Sequence, residues 1–147
     1  MNTTVRLRKL DPRARVPVYG TAAAAGADLY AIVDQPLMIA PGETVLVHTG
    51  IALEIPCGLV GLVFARSGLA TKRGLAPANK VGVIDADYRG EIMVALYNQS
   101  AEVQTIEQGE RIAQLMITPF IQATFLECEE LSDTARGAGG FGSTGTK

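Results

Sequence analysis

Two carboxylates stand close together in residues 82–92, which read Gly-Val-Ile-Asp-Ala-Asp-Tyr-Arg-Gly-Glu-Ile. Apolar residues precede Asp85, and an alternating apolar run follows Gly90. This pattern predicts a β-hairpin whose tip carries Asp85, Asp87 and Tyr88. A carboxylate on a rigid turn can activate a water molecule, and an aromatic ring beside it can hold a small planar ligand. A plain surface turn is the alternative interpretation, because aspartate and glycine are common in turns.

A second stretch that could do chemistry is the glycine-rich segment 136–147. Its composition predicts a mobile arm that cannot pack on itself. It is not a P-loop, because Thr146 stands where that motif requires lysine. Glycine-rich backbone can still surround phosphates with N–H groups, while Arg136 supplies charge and Phe141 a stacking surface. A disordered tail without function is the alternative interpretation.

The composition restricts the classes of protein that the chain can belong to. Its 147 residues, 48% hydrophobic, predict one domain with its own apolar core. A net charge of −2 provides no basic surface for nucleic acid. We find neither a readable signal peptide nor an apolar run of membrane-spanning length. We therefore expect a soluble intracellular protein of the cytoplasm, or of the nucleus in a eukaryote, without nucleic-acid or membrane partners.

The sulfur and imidazole side chains are too few for several common sites. Cys57 and Cys128 are far apart and lack a metal or redox spacing, which predicts buried reduced thiols. His48 is the single histidine, and alternation around it predicts a residue on one face of a strand. A Ser-His-Asp triad and a multi-histidine zinc site are both excluded on this basis.

Short alternating runs separated by turn residues predict an all-β subunit, a β-sandwich or distorted jelly roll with one short helix. The helix is expected over residues 67–73, with Ser67 as its N-cap and Gly74 as its end. We expect a β domain over 1–135 and a flexible arm over 136–147. The main predicted strands are 44–55, 59–64, 81–84, 91–97, 111–118 and 121–128. Within 91–97, Ile92, Val94 and Leu96 are expected on one side of the strand.

Five segments in this order resemble the five signature motifs of the trimeric dUTP pyrophosphatases, the dUTPase family. They are residues 25–31, 65–70, 82–92, 109–115 and 136–145. One departure is Ala65, where the family usually has proline. The resemblance implies a jelly-roll homotrimer with three active sites, each built from all three chains. One chain would supply the hairpin, a second the first, second and fourth motifs, and the third its glycine-rich arm, which closes over the site.

The resemblance also implies roles on the nucleoside side of the site. Asp85 would hold the water that attacks the α-phosphorus, whereas Asp87 is interpreted as structural. Tyr88 would pack under the deoxyribose, where a ribose 2′-hydroxyl would clash. The uracil and nucleoside contacts would come from Asn79, from the backbone of Gly82, Val83 and Ile84, and from the backbone of Met93.

On the phosphate side, the resemblance implies positive charge and N–H donors. Asp28 would bind Mg²⁺ through water, with the metal held mainly by the triphosphate. Arg111 is interpreted as a structural ion-pair partner. The residues expected to contact phosphates, or to close over the substrate, are Arg66, Ser67, Gly68, Gln114, Arg136, Phe141 and Gly142.

The activity implied by the resemblance is Mg²⁺-assisted hydrolysis of dUTP to dUMP and pyrophosphate. Such an activity keeps uracil out of DNA and supplies dUMP for dTMP synthesis. A dCTP deaminase of the same fold and a catalytically idle, nucleotide-sensing regulator are the alternatives. A structural, capsid-type jelly roll would not account for the five motifs.

Overall fold

The computed structural model describes residues 3–140, which form an all-β domain with one short helix. The alternating runs predicted an all-β subunit with one short helix, and this prediction is confirmed. In the described part of the chain the elements are β1 Arg6–Lys9, β2 Val18–Tyr19, β3 Ala27–Tyr30, β4 Leu37–Ile39, β5 Thr44–Glu54, β6 Leu59–Phe64, α1 Ser67–Arg73, β7 Leu75–Pro77, β8 Gly82–Ile84, β9 Glu91–Asn98, β10 Gln104–Ile106 and β11 Arg111–Pro119.

The strands pair antiparallel in two main sheets, with the orders β1-β5-β9-β7 and β2-β3-β11-β6-β8, and in a small β10-β4 pair. Alternate side chains of a strand point to opposite faces, so each main sheet can turn one apolar face inward. Strand β9 shows this period directly, since Ile92, Val94 and Leu96 are buried as predicted. They share one core with Leu29 and Leu115 of the other sheet.

Helix α1 has the predicted bounds, but its start differs from the prediction. Arg66 occupies the N-cap position in an extended conformation, and Ser67 is already the first helical residue, so the predicted Ser67 cap is wrong. No side chain caps this end; the Thr71 hydroxyl instead donates to the Ser67 carbonyl at 2.7 Å. Gly74 ends the helix in the left-handed conformation, φ 67°, as expected. Packing of Leu69 into the core supports this short helix.

The segment around Asp85 is not the predicted hairpin. Strand β8 pairs with β6, whereas β9 pairs with β5 and β7, so residues 85–90 cross from one main sheet to the other. Alternation of apolar residues identifies a strand but does not identify its hydrogen-bonding partner. Consecutive strands often pair, but here burial of both inner faces takes them to different sheets.

Residues 121–128 form no strand in this chain, and that prediction is wrong. Their alternation is real, but Ile121 and Phe125 are both 94% exposed and find no apolar face within their own chain.

The cysteine prediction is also wrong in part. Cys57 and Cys128 are free thiols, but both are exposed rather than buried.

Within residues 3–140 no helix is long and apolar enough to cross a membrane.

Candidate active site

The first, second and fourth motif-like segments meet in one cleft of about 610 Å³. Strand β3, the start of α1 and strand β11 form its walls. Four cationic side chains and two carboxylates line it, an excess of two positive charges that favours an anionic ligand. The charged residues are Asp28, Arg66, Lys72, Arg73, Glu110 and Arg111, and the neutral ones include Ser67, Gly68 and Gln114.

Asp28 connects the three segments. One carboxylate oxygen accepts from Arg66 Nε at 2.8 Å and the other from Arg111 Nη1 at 3.2 Å. The Asp28 side chain is only 14% exposed, so these charge-assisted bonds are screened less than surface pairs. The ion pair expected for Arg111 is confirmed. Asp28 thereby orients two guanidinium groups toward the cleft.

Gln114 lies beside Asp28 across the β3–β11 ladder. Its side-chain N–H donates to the Ala65 carbonyl at 2.8 Å, which fixes the side chain at the cleft wall. A Cβ at Gly26 would lie 2.4 Å from the Gln114 amide oxygen, so only glycine leaves room for this arrangement. The expected phosphate contact of Gln114 stays a prediction.

Arg73 and Glu110 form a further pair that the sequence did not reveal. The Arg73 guanidinium donates to Glu110 Oε1, to the Thr105 carbonyl and, at 3.1 Å, to Gln104 Oε1. These bonds anchor the C-terminal turn of α1 to the segment before β11. The partners lie more than thirty residues apart, so no local pattern could have indicated them.

The loop that carries Asp85 lies on a different cleft, of about 730 Å³, together with Asp87, Cys57 and Phe120. The Tyr88 N–H donates to the Asp85 carbonyl at 3.2 Å and closes a turn. The carboxylates of Asp85 and Asp87 are exposed. The structure therefore does not bring Asp85 into the cleft of Asp28 within one chain.

Strand β8 is the edge of its sheet and, among the described residues, is hydrogen-bonded to β6 alone. An edge strand presents unpaired N–H and C=O groups that can bind a planar amide-like ligand. Exposed Asn79 lies at this edge, because a Cβ on Gly82 would be 3.4 Å from Asn79 Nδ2. Val83 is exposed and Ile84 is half-buried. Met93, on β9, pairs with His48 of β5.

Three of the predicted site residues belong to the arm. Arg136 is exposed, and its Nε donates to the Gly139 carbonyl at 2.8 Å. Phe141 and Gly142 lie outside the described residues.

The donor groups fit a metal that arrives with an anionic ligand. Across residues 3–140, no three or more His, Cys, Asp or Glu side chains cluster closely enough to hold a metal ion. Each Asp28 oxygen accepts one arginine bond and retains capacity for another donor, such as a metal-bound water.

Comparison with known proteins identifies the relatives of this chain. The family model described as dUTPase matches residues 13–145. The deoxyuridine 5′-triphosphate nucleotidohydrolase of Desulfitobacterium hafniense is 52% identical over 136 residues, covering 92% of this chain and 90% of the relative. A mutant dUTPase of Staphylococcus bacteriophage 80alpha, solved with dUpNHpp, has a TM-score of 0.85 and 29% identity, covering 98% of this chain and 99% of its own.

A mutant dUTPase from phage phi11 of S. aureus, whose structure describes the coordination of a structural Mg(II) ion, has a TM-score of 0.77. It is 27% identical and covers 87% of this chain and 98% of its own.

Proposed function

The chain belongs to the dUTPase family, and from this membership we propose that it hydrolyses dUTP to dUMP and pyrophosphate. The observation that carries the proposal is the positively charged cleft in which Asp28 holds Arg66 and Arg111. It joins three separate segments around a space suited to a phosphate chain. The protein is thus a dUTP diphosphatase, an enzyme of nucleotide metabolism that keeps uracil out of DNA and supplies dUMP for dTMP synthesis.

In the proposed reaction, the Asp85 carboxylate orients a water molecule and accepts its proton as the water oxygen attacks the α-phosphorus. Pyrophosphate leaves as the bond from the α-phosphorus to the bridging oxygen breaks. The exposed position of Asp85 on a turn closed by Tyr88 supports this role, because the carboxylate is accessible and its backbone is held. Such general-base assistance is worth roughly 10²–10⁴-fold in rate. Asp87 remains structural in this proposal.

The phosphates would lie in the cleft. The N–H groups of Ser67 and Gly68 belong to the first turn of α1, where backbone donors lack helical partners. Arg66 supplies charge, and Gln114 offers its amide to the α-phosphate. Most of the catalytic effect would therefore come from positioning and charge stabilisation.

The uracil would bind at the free edge of β8, with Asn79 pairing to its polar edge and the backbone of Gly82–Ile84 completing the slot. A slot formed by backbone leaves little space for a 5-methyl group and matches the donor pattern of cytosine poorly. Tyr88 would support the deoxyribose, and the Met93 backbone would touch the nucleoside.

Magnesium is the expected cofactor, held by the triphosphate and by Asp28 through water. When bound, it would neutralise phosphate charge and help to orient the triphosphate. The spare hydrogen-bonding capacity of Asp28 supports this arrangement.

The separation of the two clefts supports an assembled site. Asp85 and the cleft of Asp28 line different pockets of one chain, so a substrate that touches both would lie between copies. We therefore propose a homotrimer in which the β domain, residues 1–135, forms the body. The arm, residues 136–147, would bring Arg136, Phe141 and Gly142 over a neighbouring site, where Arg136 contacts the γ-phosphate.

We also propose that the enzyme works in the cytoplasm. Its two cysteines are both exposed free thiols, which a reducing compartment maintains.

The test is turnover of dUTP, dTTP, dCTP and UTP, each offered separately with Mg²⁺, while pyrophosphate and ammonia are followed. We expect pyrophosphate from dUTP and little from the other three nucleotides. Ammonia from dCTP would move the protein to the deaminase branch. Tight dUTP binding without turnover would make it a nucleotide-sensing regulator instead.

A further inference from the structure

The ladder between β5 and β9 is interrupted just before the loop that carries Asp85. His48 pairs with Met93 and Ala52 pairs with Glu91, so three residues of β5 face Ile92 alone. Such a bulge leaves backbone groups without ladder partners. Beyond the bulge the β5–β9 ladder retains only the Ala52–Glu91 pair, so side-chain bonds there add to the attachment of β9 and of the end of the loop.

The Glu91 side chain supplies that attachment. Its Oε1 accepts the Gly50 N–H at 2.8 Å, and its Oε2 lies 2.9 Å from His48 Nδ1. The side chain is only 21% exposed. Gly50 has φ +67°, and a Cβ there would lie 2.9 Å from the Ala14 Cβ, so this donor is held in a position that only glycine can take.

The main chain of Glu91 in turn holds Tyr88. The Tyr88 hydroxyl donates to the Glu91 carbonyl at 3.0 Å. The ring lies directly against Gly90, where a Cβ would come within 2.3 Å of the Tyr88 oxygen. The Tyr88 N–H also closes the Asp85 turn at 3.2 Å. Tyr88 is thus held at both ends, and one of these ends is the Glu91 peptide.

We infer that Glu91 is a positioning residue: by binding the Gly50 N–H, its carboxylate fixes the acceptor for the Tyr88 hydroxyl and so determines the preference for deoxyribose over ribose. This inference rests on the proposed function, in which the Tyr88 ring supports the sugar. The carboxylate does not touch the substrate. It acts because a displaced Glu91 carbonyl would release the ring that must exclude a 2′-hydroxyl.

The test compares kcat/KM for dUTP with kcat/KM for UTP in Glu91→Ala and Glu91→Gln. Ala removes the acceptor of the Gly50 N–H, whereas Gln keeps a side-chain oxygen there. We expect the dUTP-to-UTP ratio to fall roughly threefold to tenfold in Glu91→Ala, the factor that corresponds to one net hydrogen bond. Glu91→Gln should restore most of the ratio.

Glu43→Ala is the matched control, because the Glu43 carboxylate also accepts a backbone N–H, that of Ala40, at 2.7 Å. It lies beside Thr44, which pairs at the opposite end of the same ladder. This variant should lower the melting temperature but keep the ratio. An unchanged ratio in Glu91→Ala, or an equal fall in Glu43→Ala, would overturn the inference.

Tyr88→Phe provides an independent measurement, because it removes the hydroxyl bond and keeps the ring. It should lower the ratio by a similar factor, and combination with Glu91→Ala should add little, since both changes break one chain of contacts.

If Glu91→Ala fails to fold, Glu91→Asp, which withdraws the carboxylate from Gly50, decides in its place. An unchanged ratio in Glu91→Asp contradicts the inference. A wild-type protein that does not hydrolyse dUTP would overturn the proposed function as well, whereas a wild type that prefers dUTP leaves the variants to judge the inference alone.

Discussion

The side chains around Asp28 find their partners within the chain, whereas the apolar side chains of the C-terminal segment, residues 120–140, do not. In the cleft, each oxygen of a largely buried carboxylate has an arginine partner from another segment. Along 120–140, large apolar side chains face outward without a core. The most exposed of them are Ile121, Phe125, Leu126 and Leu131, at 94%, 94%, 89% and 87%.

This contrast indicates which parts of the molecule one chain can complete. Long-range ion pairs within the chain hold the arginines of the cleft ready for an anion before any ligand arrives, and such preorganisation favours binding. Several large apolar side chains exposed within one short segment indicate an interaction surface. We therefore expect changes in the cleft to act on the affinity for substrate, and changes in the C-terminal segment to act on assembly and closure.

The largest effect is expected for Asp85→Asn, which lies in neither region. The amide cannot accept the proton of the attacking water, so kcat for dUTP should fall roughly 10²–10⁴-fold. Binding of a non-hydrolysable dUTP analogue, measured by calorimetry, should persist because the cleft is intact. Undiminished release of pyrophosphate would remove Asp85 from the mechanism.

The next largest effect is expected for deletion of residues 136–147, which tests the C-terminal part of the chain. Because the arm is expected to close over a neighbouring site, kcat/KM should fall by roughly 10²-fold, a loss typical of misplaced substrate. The circular dichroism spectrum and the number of subunits in the assembly should stay unchanged, since residues 3–135 contain the core. Full activity in the truncated protein would show that the arm takes no part in catalysis.

Asp28→Asn tests the cleft. The amide leaves Arg66 and Arg111 without a charged partner, which should cost about 1–3 kcal/mol in unfolding free energy and raise KM for dUTP several-fold. Thermal unfolding and initial rates at saturating Mg²⁺ measure the two effects.

Asp11→Asn is the matched control for that variant. Asp11 also forms an ion pair, with Arg13 at 2.7 Å, but on the surface, and the hydrogen bonds from Arg13 lower the pKa of Asp11 to about 2. Its replacement should leave KM unchanged. A rise in KM equal to that of Asp28→Asn would mean that the effect is not specific to the cleft.

The smallest effect on turnover, measured at protein concentrations that keep the copies associated, is expected for Ile121→Ser combined with Phe125→Ser. Neither side chain is buried in its own chain, so the fold of the body should not change. If these side chains pack on a neighbouring copy, light scattering should show that the variant dissociates at a higher protein concentration than the wild type does. An unchanged mass at every concentration would contradict that role.

Local features were readable from the sequence because their causes are local. The alternation of Ile92, Val94 and Leu96 predicted the buried face of β9, and Gly74 marked the end of α1 correctly. The ordered motifs also indicated the family and the groups that line the cleft. Periodicity and turn chemistry depend on residues within a few positions of one another, and one sequence contains that information.

The tertiary structure decided what depends on distant partners. Alternation could not reveal that β8 and β9 join different sheets, or that 121–128 lacks a partner strand in its own chain. Ser67 has a suitable side chain for a cap, yet the chain path made Arg66 the N-cap and tied its guanidinium to Asp28. The Glu91 bond to Gly50 exists only because a bulge freed that N–H. Each of these outcomes was set by competition among long-range contacts, and that competition is resolved only when the whole chain packs.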